Sequence, residues 1–584
     1  MSRDLNNVLI TDCGSTTTKA LLFTRGADRW KLVCSGAAPT TVEEPVADVT
    51  VGVLNACNEI QEITGRQLID SKQDLPLLLT KEDPGVGVDM YLSTSSAGGG
   101  LQMLVAGVVG SVSAGSAERA ALGAGAIVLD TLSFDEAFVE HEVIERIREL
   151  KPDIFLLSGG LEGGAVSQVL ELAELILAAA PRPRFGKTFR LPVIYAGNSA
   201  AAKKVAKILA PIADVQVSPN LRPEYNKEYL AEAREAIHEL FLDHVMSHSP
   251  GYDRLLKWSA EPVMPTPSAV GEIVHSYAEE TKQNVIAVDI GGATTDVFSV
   301  FESAGKYTFN RTVSANLGMS YSIANVLLSA GLDKITRWID WEEDEDDIAD
   351  RLRNKMVRPT SIPQSKKDLF FEQAVCREAL RLSLEHHKSL ATGLAEDSAS
   401  GGIAGIFTQK TAQHSLIDML NLDLVIGSGG VLSHAPERLQ AAEMLIDGFG
   451  LKGLTQIAVD SIFMLPHLGL LSTIDREAAS EIFINDCLVN VAHAIVPVFN
   501  PKKIKTKISQ SLSLVDVFID GEKQTEVIHS KRIVYPLEVG KVYQLELKPT
   551  SQYINIGAGM GNVLTKEITA GLCGLILDGQ GELC

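Results

Sequence analysis

The chain opens with three short apolar runs that predict β-strands. The runs are rich in β-branched residues and are separated by short polar turns; they are NVLITD, TKALLFT and WKLVCSG, all within residues 7–36. This spacing predicts two successive hairpins. A helix is predicted next, from about Val46 to Arg66, because apolar and polar positions there recur at helical spacing.

Apolar strands alternate with helices between about residues 100 and 218. The predicted strands are LQMLVAGVV, AIVLD, DIFLLS, PVIYAG and IADVQVS, with a helical segment in each of the four intervals. Such alternation predicts a parallel, doubly wound sheet of the flavodoxin type. The strands are almost wholly apolar, as expected where helices cover both faces of a sheet.

A second strand-turn-strand pattern begins at residue 284 with the segment NVIAVDIGGATTDVFSV. It resembles the pattern at Leu9–Thr24, which suggests two related halves. A polar helical stretch at 224–248 and a proline-rich loop, PVMPTPS, precede it. An acidic run, WEEDEDDIAD, follows and is interpreted as a solvated surface.

Helices are expected at about 365–390 and 436–450. Beyond them the pattern changes to short alternating runs, KIKTKISQ, VDVFID, RIVYPLE and KVYQLELK, which predict antiparallel strands of a small C-terminal β domain.

The turn between the first two strands carries side chains suited to phosphate. Its residues are Asp12, Gly14, Ser15, Thr16, Thr17, Thr18 and Lys19. Gly14 permits close approach of a bound group, and the hydroxyls and backbone N–H groups suit phosphate oxygens. Lys19 offers a point charge, and Asp12 suits a hydrated Mg²⁺, which takes few carboxylates.

The second turn has the same arrangement of aspartate, glycine and hydroxyl residues. It contains Asp289, Gly291, Gly292, Thr294, Thr295 and Asp296. A third segment, LVIGSGGVLSH, runs from an apolar strand into a glycine turn with Gly427, Gly429 and Gly430. Such a turn lets the backbone lie flat against a nucleoside. Two matching aspartate turns are much more specific than one.

Composition narrows the classes of function. The net charge of -22 disfavours binding to nucleic acid and to anionic membranes. The uncharged stretch from Tyr91 to Ala117 is interrupted by serines and glycines, so it predicts a buried strand-loop-helix and not a membrane span. The seven cysteines are scattered and the N-terminus lacks a signal-peptide pattern, so a cytoplasmic protein with reduced thiols is expected.

The three loops in this order resemble the actin/Hsp70/sugar-kinase superfamily. That resemblance implies two ribonuclease-H-like lobes that close on ATP and Mg²⁺. It implies that the loop of Asp12 touches the β- and γ-phosphates, that the loop of Asp289 faces it, and that the turn at Gly427–Gly430 holds adenosine. Either aspartate could bind the metal or orient the attacking water, and catalysis would be mostly positioning and charge stabilisation.

Further segments resemble the MutL family associated with glutamate mutase, which is distinct from the mismatch-repair protein of that name. They include STSSAGGGL, AERAALGAGA, DIFLLSGGLEGG, VIYAGN and GLCGLILDGQG. The family resemblance implies an ATP-driven chaperone that reactivates adenosylcobalamin-dependent mutases, with mutase subunits as partners. The alternatives are a small-molecule kinase or a hydantoinase/oxoprolinase-like enzyme. A radical-dehydratase activator would need cysteine ligands for a shared iron–sulfur cluster, and the scattered cysteines offer no matching set.

The implied fold class is α/β: two actin-type lobes, an inserted doubly wound parallel domain and a small C-terminal β domain. The predicted parts are 1–85 (first lobe, N-terminal part), 86–222 (inserted flavodoxin-like domain), 223–480 (helical linker and second lobe) and 481–584 (C-terminal β domain). Cobalamin domains share the flavodoxin-like pattern, but the predicted loop Gly110–Ser116 lacks their Asp-x-His-x-x-Gly. The insert is therefore interpreted either as a plain structural module or as a mimic of a mutase's cobalamin domain that does not itself hold cobalamin.

Overall fold

The computed structural model describes most of the chain. The described residues are 5–14, 17–42, 44–70, 72–73, 75–80, 85–96, 101–134, 139–164, 166–183, 190–225, 227–241, 250–303, 305–314, 316–341, 344–359, 361–391, 415–499 and 512–580. They form two compact units. The first comprises Met1–Ile273 and Leu465–Ile482, and the second comprises Val274–Ala391, Ser415–Met464 and Phe483–Cys584.

The described strands and helices are numbered in chain order. The strands are β1 Asn7–Cys13, β2 Thr17–Arg25, β3 Trp30–Pro39, β4 Met90–Ser95, β5 Gln102–Ala106, β6 Ile127–Leu132, β7 Ile154–Leu157, β8 Leu191–Tyr195, β9 Ala213–Val217, β10 Met264–Pro265, β11 Val285–Ile290, β12 Thr295–Ser303, β13 Lys306–Ser314, β14 Leu424–Ser428, β15 Gly453–Asp460, β16 Leu488–Val496, β17 Val498–Phe499, β18 Ser513–Ile519, β19 Glu522–Ile528, β20 Arg532–Tyr535, β21 Val542–Pro549, β22 Ile554–Asn555, β23 Leu564–Thr569 and β24 Leu575–Asp578. The helices are α1 Val49–Thr64, α2 Gly115–Gly123, α3 Glu140–Leu150, α4 Ser167–Ala179, α5 Ala202–Leu209, α6 Ala231–Leu240, α7 Tyr252–Trp258, α8 Thr266–Thr281, α9 Ile323–Ala330, α10 Leu332–Thr336, α11 Glu345–Val357, α12 Lys366–Leu390, α13 Gly430–Ser433, α14 Arg438–Phe449, α15 Leu465–Ser472 and α16 Arg476–Ile482.

The first sheet of the first unit has the strand order β10-β4-β1-β2-β3. β1 to β3 form the two predicted hairpins, and β4 runs parallel to both β1 and β10. The helix expected from Val46 to Arg66 is shorter at both ends. It begins after Asp48, whose side chain caps the Thr50 N–H, and it ends at Gly65, which has a left-handed backbone.

The alternating region contains the expected five-stranded parallel sheet, with strand order β6-β5-β7-β8-β9. Counted within this region the order is 2-1-3-4-5, as in flavodoxin. The segment Gly110–Ser116, predicted as a loop, is instead helical: a π-helical turn covers Gly110–Ala114, and α2 follows directly. The Ser113 hydroxyl stabilises the turn by accepting the Val109 N–H at 3.0 Å.

The two sheets of the first unit share one apolar core. Buried residues of the first sheet, such as Leu9 and Tyr91, belong to the same cluster as Met103 and Val105 of β5. A second cluster, which includes Phe155 and Val193, covers the other face of the parallel sheet. The boundaries proposed at 85 and 222 therefore stay predictions.

The proline-rich segment at 262–268 is not a loop, contrary to expectation. Met264 and Pro265 form β10, and α8 begins at Thr266. Pro267 lies in the first turn of this helix, where a missing N–H costs no hydrogen bond. Of the helical stretch predicted at 224–248, α6 is observed, whereas residues 242–249 lie outside the described residues.

The main sheet of the second unit has eight strands, in the order β13-β12-β11-β14-β15-β16-β24-β20. β16, β20 and β24 come from the region predicted as a separate C-terminal domain, and β16 pairs with β24 in parallel. Only β18, β19, β21 and β23 form the expected small antiparallel sheet. The predicted strand KIKTKISQ lies outside the described residues.

The helices predicted in the second unit are confirmed as α12 and α14. The described part of the acidic run forms the start of α11, with exposed carboxylates in its first turn, where the helix dipole favours them. Across the described residues, no helix has both the length and the apolar character needed to cross a bilayer.

Candidate functional site

The two aspartate turns have the same backbone register. Asp12 lies opposite Lys19 in the first hairpin, and Asp289 lies opposite Asp296 in the second. Each turn is closed by one backbone hydrogen bond: the Gly14 N–H donates to the Thr17 carbonyl at 3.1 Å, as the Gly291 N–H does to that of Thr294 at 2.9 Å. The suggested relation between the two halves is therefore seen in the local backbone.

The similarity extends to the strands beside each hairpin. In the first unit β3, β2, β1, β4 and β10 are neighbours in that order, and in the second unit β13, β12, β11, β14 and β15 follow the same order. The last two strands run parallel to the central one in both cases. Because the carboxyl ends of parallel strands meet at one edge of a sheet, Asp12 lies beside Thr94 and Asp289 lies beside Ser428.

Asp12 is almost completely buried, with 2 % of its surface exposed. Its Oδ1 accepts hydrogen bonds from the Thr94 hydroxyl at 2.7 Å and from the Thr266 hydroxyl at 2.6 Å. A buried carboxylate needs such donors, because an unpaired charge away from water is costly. The sequence interpretation missed both threonines, although the position of STS at the end of β4 could have indicated Thr94.

The first turn has no room for a side chain at Gly14. A Cβ there would lie 2.7 Å from the Thr17 carbonyl oxygen. The Thr40 hydroxyl fixes the turn from outside by donating to the Gly14 carbonyl at 2.7 Å. Lys19 is half-buried and lies opposite Asp12 on the same face of the sheet, whereas Ser15 and Thr16 lie outside the described residues.

The second turn is supported by the segment that follows β13. The Met319 and Ser320 N–H groups each donate at 2.9 Å, to the carbonyls of Gly291 and Gly292 respectively. Thr295 is buried, and its hydroxyl donates to the Leu317 carbonyl at 2.5 Å. That hydroxyl is thus engaged in holding the turn, whereas Thr294 is half-buried beside it.

Asp296 takes the place that Lys19 has in the first hairpin, and it belongs to a buried ion pair. The Arg311 guanidinium approaches its carboxylate to 2.5 Å, with side-chain exposures of 1 % for Arg311 and 11 % for Asp296. Burial lowers the pKa of Arg311, and the neighbouring carboxylate opposes that shift. Asp296 lies directly opposite Asp289, and its ion pair neutralises its charge. The two aspartates therefore do not face each other as two unpaired negative charges.

The glycine turn lies beside the second aspartate turn. Gly429 has a φ of +98°, and a Cβ there would lie 2.2 Å from the Ile290 carbonyl oxygen. A Cβ on Gly430 would meet nothing within 4 Å, so open space lies at the start of α13. Gly427 packs against Leu432 and Leu445. The second unit therefore brings two of the three predicted loops together.

Ser428 is the last residue of β14, and its side chain is buried. Its hydroxyl has no hydrogen-bond partner among the described residues. Within the same residues, no three His, Cys, Asp or Glu side chains cluster as a metal site. A hydrated Mg²⁺ does not need such a cluster, since it keeps several waters and takes one or two carboxylates. Assignment of metal binding and catalysis to Asp12 and Asp289 stays a prediction.

Comparison with known proteins assigns the family. A family model described as MutL protein matches residues 8–487. The chain belongs to the MutL family. A relative named Protein MutL, from Clostridium tetanomorphum, is 28 % identical over 489 residues, covering 80 % of this chain and 95 % of the relative. The family resemblance found in the sequence motifs is therefore confirmed.

Solved structures similar to this MutL-family chain are distant. A nucleotide-free acetone carboxylase is 11 % identical with a TM-score of 0.34, and the match covers 80 % of this chain and 70 % of that one. The activator of 2-hydroxyisocaproyl-CoA dehydratase from Clostridium difficile, with bound ADPNP, is 10 % identical with a TM-score of 0.29, over 81 % and 95 % of the two chains.

Proposed function

We propose that this chain is an ATP-dependent chaperone that activates or reactivates an adenosylcobalamin-dependent mutase, such as glutamate mutase. The single observation that carries the ATP part is the pair of aspartate hairpins with identical register, each next to a parallel strand. Membership of the MutL family supports the choice of client.

The proposal includes two ribonuclease-H-like lobes of the actin type. Its support is the repeated five-strand arrangement, with the same order and directions in both units. A hairpin followed by parallel strands places the end of the central strand at an edge where a ligand can approach the backbone closely. Gly14 and Gly291 occupy that position in the two units.

The residues present fit a magnesium nucleotide. In the first unit the turn at Gly14 would hold phosphate, with Lys19 as counter-charge. In the second unit the turn at Gly291 would hold phosphate, and the open space at Gly430 would take the nucleoside. Mg²⁺, when bound, would neutralise charge on the phosphates. Asp12 and Asp289 would hold the hydrated ion or orient a water molecule. The Ser428 hydroxyl, which has no hydrogen-bond partner among the described residues, is a further polar group available to the ligand.

The ATP proposal is tested by measuring MgATP hydrolysis in Asp12→Asn and Asp289→Asn. Each variant should lose hydrolysis while keeping the wild-type circular dichroism spectrum. Asp350→Asn is the matched control, since its carboxylate is exposed and, among the described residues, is paired only with the exposed Arg353. Wild-type rates in both site variants would refute the assignment.

The client proposal is tested by co-purification and reactivation. A mutase whose cobalamin has been damaged should regain activity with this protein and ATP, and its affinity for the protein should differ between ATP and ADP, by linkage. Turnover of a small substrate without any mutase would instead favour the kinase or amidohydrolase alternative. Equal affinity with ATP, with ADP and without nucleotide would exclude nucleotide-driven action.

We also propose that the parallel α/β region contacts the mutase in place of the mutase's own cobalamin domain. Its 2-1-3-4-5 strand order supports this, and the segment Gly110–Ser116 has neither the aspartate nor the histidine of a cobalamin loop. Because this region shares a core with the first sheet, deleting it would expose buried residues. The full chain should therefore be used, and it should cause no shift in cobalamin absorbance; tight cobalamin binding would refute the proposal.

A further inference from the structure

Two threonines from separate segments converge on the same atom of Asp12. Thr94 lies on β4, beside β1, and Thr266 begins α8 after β10. Both hydroxyls donate to Oδ1, at 2.7 Å and 2.6 Å. The Thr94 hydroxyl also lies 3.5 Å from the Thr11 carbonyl, but the shorter contact to Asp12 is the stronger hydrogen bond.

The two carboxylate oxygens of Asp12 lie in different hydrogen-bonding environments. A threonine hydroxyl has a single hydrogen to donate, so each threonine directs it to Oδ1. None of the described residues donates a hydrogen bond to Oδ2. Asp12 is buried on a central strand, and two donors from different elements oppose rotation of its carboxylate. One oxygen is thereby fixed in the protein, and the other keeps its lone pairs for another partner.

The second hairpin lacks the matching hydroxyl contact. Ser428 occupies the position beside Asp289 that Thr94 occupies beside Asp12. Its hydroxyl makes no hydrogen bond to any described residue, so it does not hold Asp289. The two aspartates, alike in motif and register, therefore differ in the contact made by the hydroxyl residue beside each of them.

We infer that Thr94 and Thr266 are positioning residues that fix the Asp12 carboxylate for the Mg²⁺ of a bound magnesium nucleotide. This rests on the proposed ATP function and assigns the metal to Asp12. A fixed carboxylate favours the metal because less orientational freedom is lost on binding. The simpler reading, in which the threonines only satisfy a buried charge, predicts effects on stability and none on metal affinity.

The test uses the full-length protein with Mn²⁺ and ATP as the probe. Mn²⁺ affinity is measured by electron paramagnetic resonance in Thr94→Val and Thr266→Val, which keep the β-branched shape but lose the hydroxyl. Loss of one hydrogen bond to a charged group should weaken Mn²⁺ binding roughly 10- to 100-fold. Thr94→Ser and Thr266→Ser restore the donor and should stay within about threefold of wild type.

Matched controls separate positioning from general stability. Thr281→Val removes a hydroxyl from the same helix, where it donates to the Tyr277 carbonyl, and Thr24→Val removes one from β2, where it donates to Asn7. Both should leave Mn²⁺ affinity unchanged. If either site valine variant does not fold, Thr94→Ala or Thr266→Ala replaces it, compared with its serine partner.

The Mn²⁺ affinities of the variants decide whether the two threonines position the carboxylate. Weakened Mn²⁺ binding in the valine variants with recovery in the serine variants supports the inference. Unchanged affinity in folded valine variants, or equal loss in the serine variants, overturns it while leaving the ATP proposal intact. Failure of the wild-type protein to bind Mn²⁺ with ATP would overturn both.

Discussion

The buried ion pair between Asp296 and Arg311 gives a prediction whose size follows from burial. Asp296 closes the sequence motif of the second aspartate turn, which suggests a role toward the ligand. The structure pairs it instead with a guanidinium that is 1 % exposed. The perturbation is Asp296→Asn, which keeps the shape and removes the charge, so that the buried Arg311 loses the carboxylate that it is paired with.

The expected cost is large because the remaining charge cannot reach water. Removing one partner of a buried pair typically costs about 3–5 kcal/mol, whereas replacing both partners by apolar groups is often close to neutral. The double variant Asp296→Leu/Arg311→Met should therefore recover much of the stability that is lost when only one partner of the pair is replaced. An exposed pair is worth only about 0–1 kcal/mol. Asp350→Asn, whose pair with Arg353 has side-chain exposures of 68 % and 72 %, is the control.

Urea unfolding followed by tryptophan fluorescence measures these differences. Trp338 and Trp341 belong to the second unit and report on it. Asp296→Asn should lower the free energy of unfolding of that unit by about 3 kcal/mol or more. A loss no greater than that of Asp350→Asn would refute the reasoning. The reasoning would also be refuted if the double variant Asp296→Leu/Arg311→Met lost as much stability as its two single variants lose together.

Four further predictions concern one buried histidine and three glycines. Burial holds the pKa of His387 at about 3, against 6.5 for a free histidine. Between these values the unfolded chain binds the extra proton, so stability is full above about pH 6.5 and falls by about 1.4 kcal/mol per pH unit on acidification. His387→Gln should show a correspondingly shallower pH dependence of its urea midpoint; an equal slope would contradict this. Gly429→Ala should destabilise the fold by more than about 1 kcal/mol, because of its left-handed backbone and its clash with Ile290, whereas Gly430→Ala should keep the thermal midpoint and weaken nucleotide binding in titration calorimetry. A Cβ on Gly469 would lie 1.7 Å from the Ala269 carbonyl oxygen, so Gly469→Ala should lower the thermal midpoint by several degrees, and an unchanged midpoint would contradict the close packing.

Local patterns were sufficient to predict most of the described strands and about half of the described helices. The alternation between 100 and 218 predicted a parallel sheet because buried parallel strands are apolar on both faces. The hairpins around Asp12 and Asp289 were predicted because short apolar runs flank a glycine turn. In each case the deciding signal lies within a few residues along the chain, and the structure contains the predicted element.

Long-range pairing was beyond the sequence patterns. Strands β16, β20 and β24 lie in the region predicted as a separate C-terminal β domain, yet they complete the eight-stranded sheet. Strand composition does not specify which neighbour a strand takes, since pairing depends on the packing of the whole unit. The start of α8 was missed for a different reason. Three prolines in PVMPTPS suggested a loop, but a proline in the first turn of a helix is compatible with helix.

The two aspartate turns show what a motif leaves undetermined. Sequence and register make Asp12 and Asp289 equivalent, so the motif alone could not decide which one binds metal. Thr94 and Thr266 donate to Asp12 from other segments, whereas Ser428, the residue beside Asp289, makes no hydrogen bond to any described residue. Thr266 is 254 residues from Asp12 in sequence, and it reaches the carboxylate only because β10 pairs with β4. If the duplicated hairpin supplies two similar phosphate loops, then the different residues beside Asp12 and Asp289 allow the two carboxylates to have different roles.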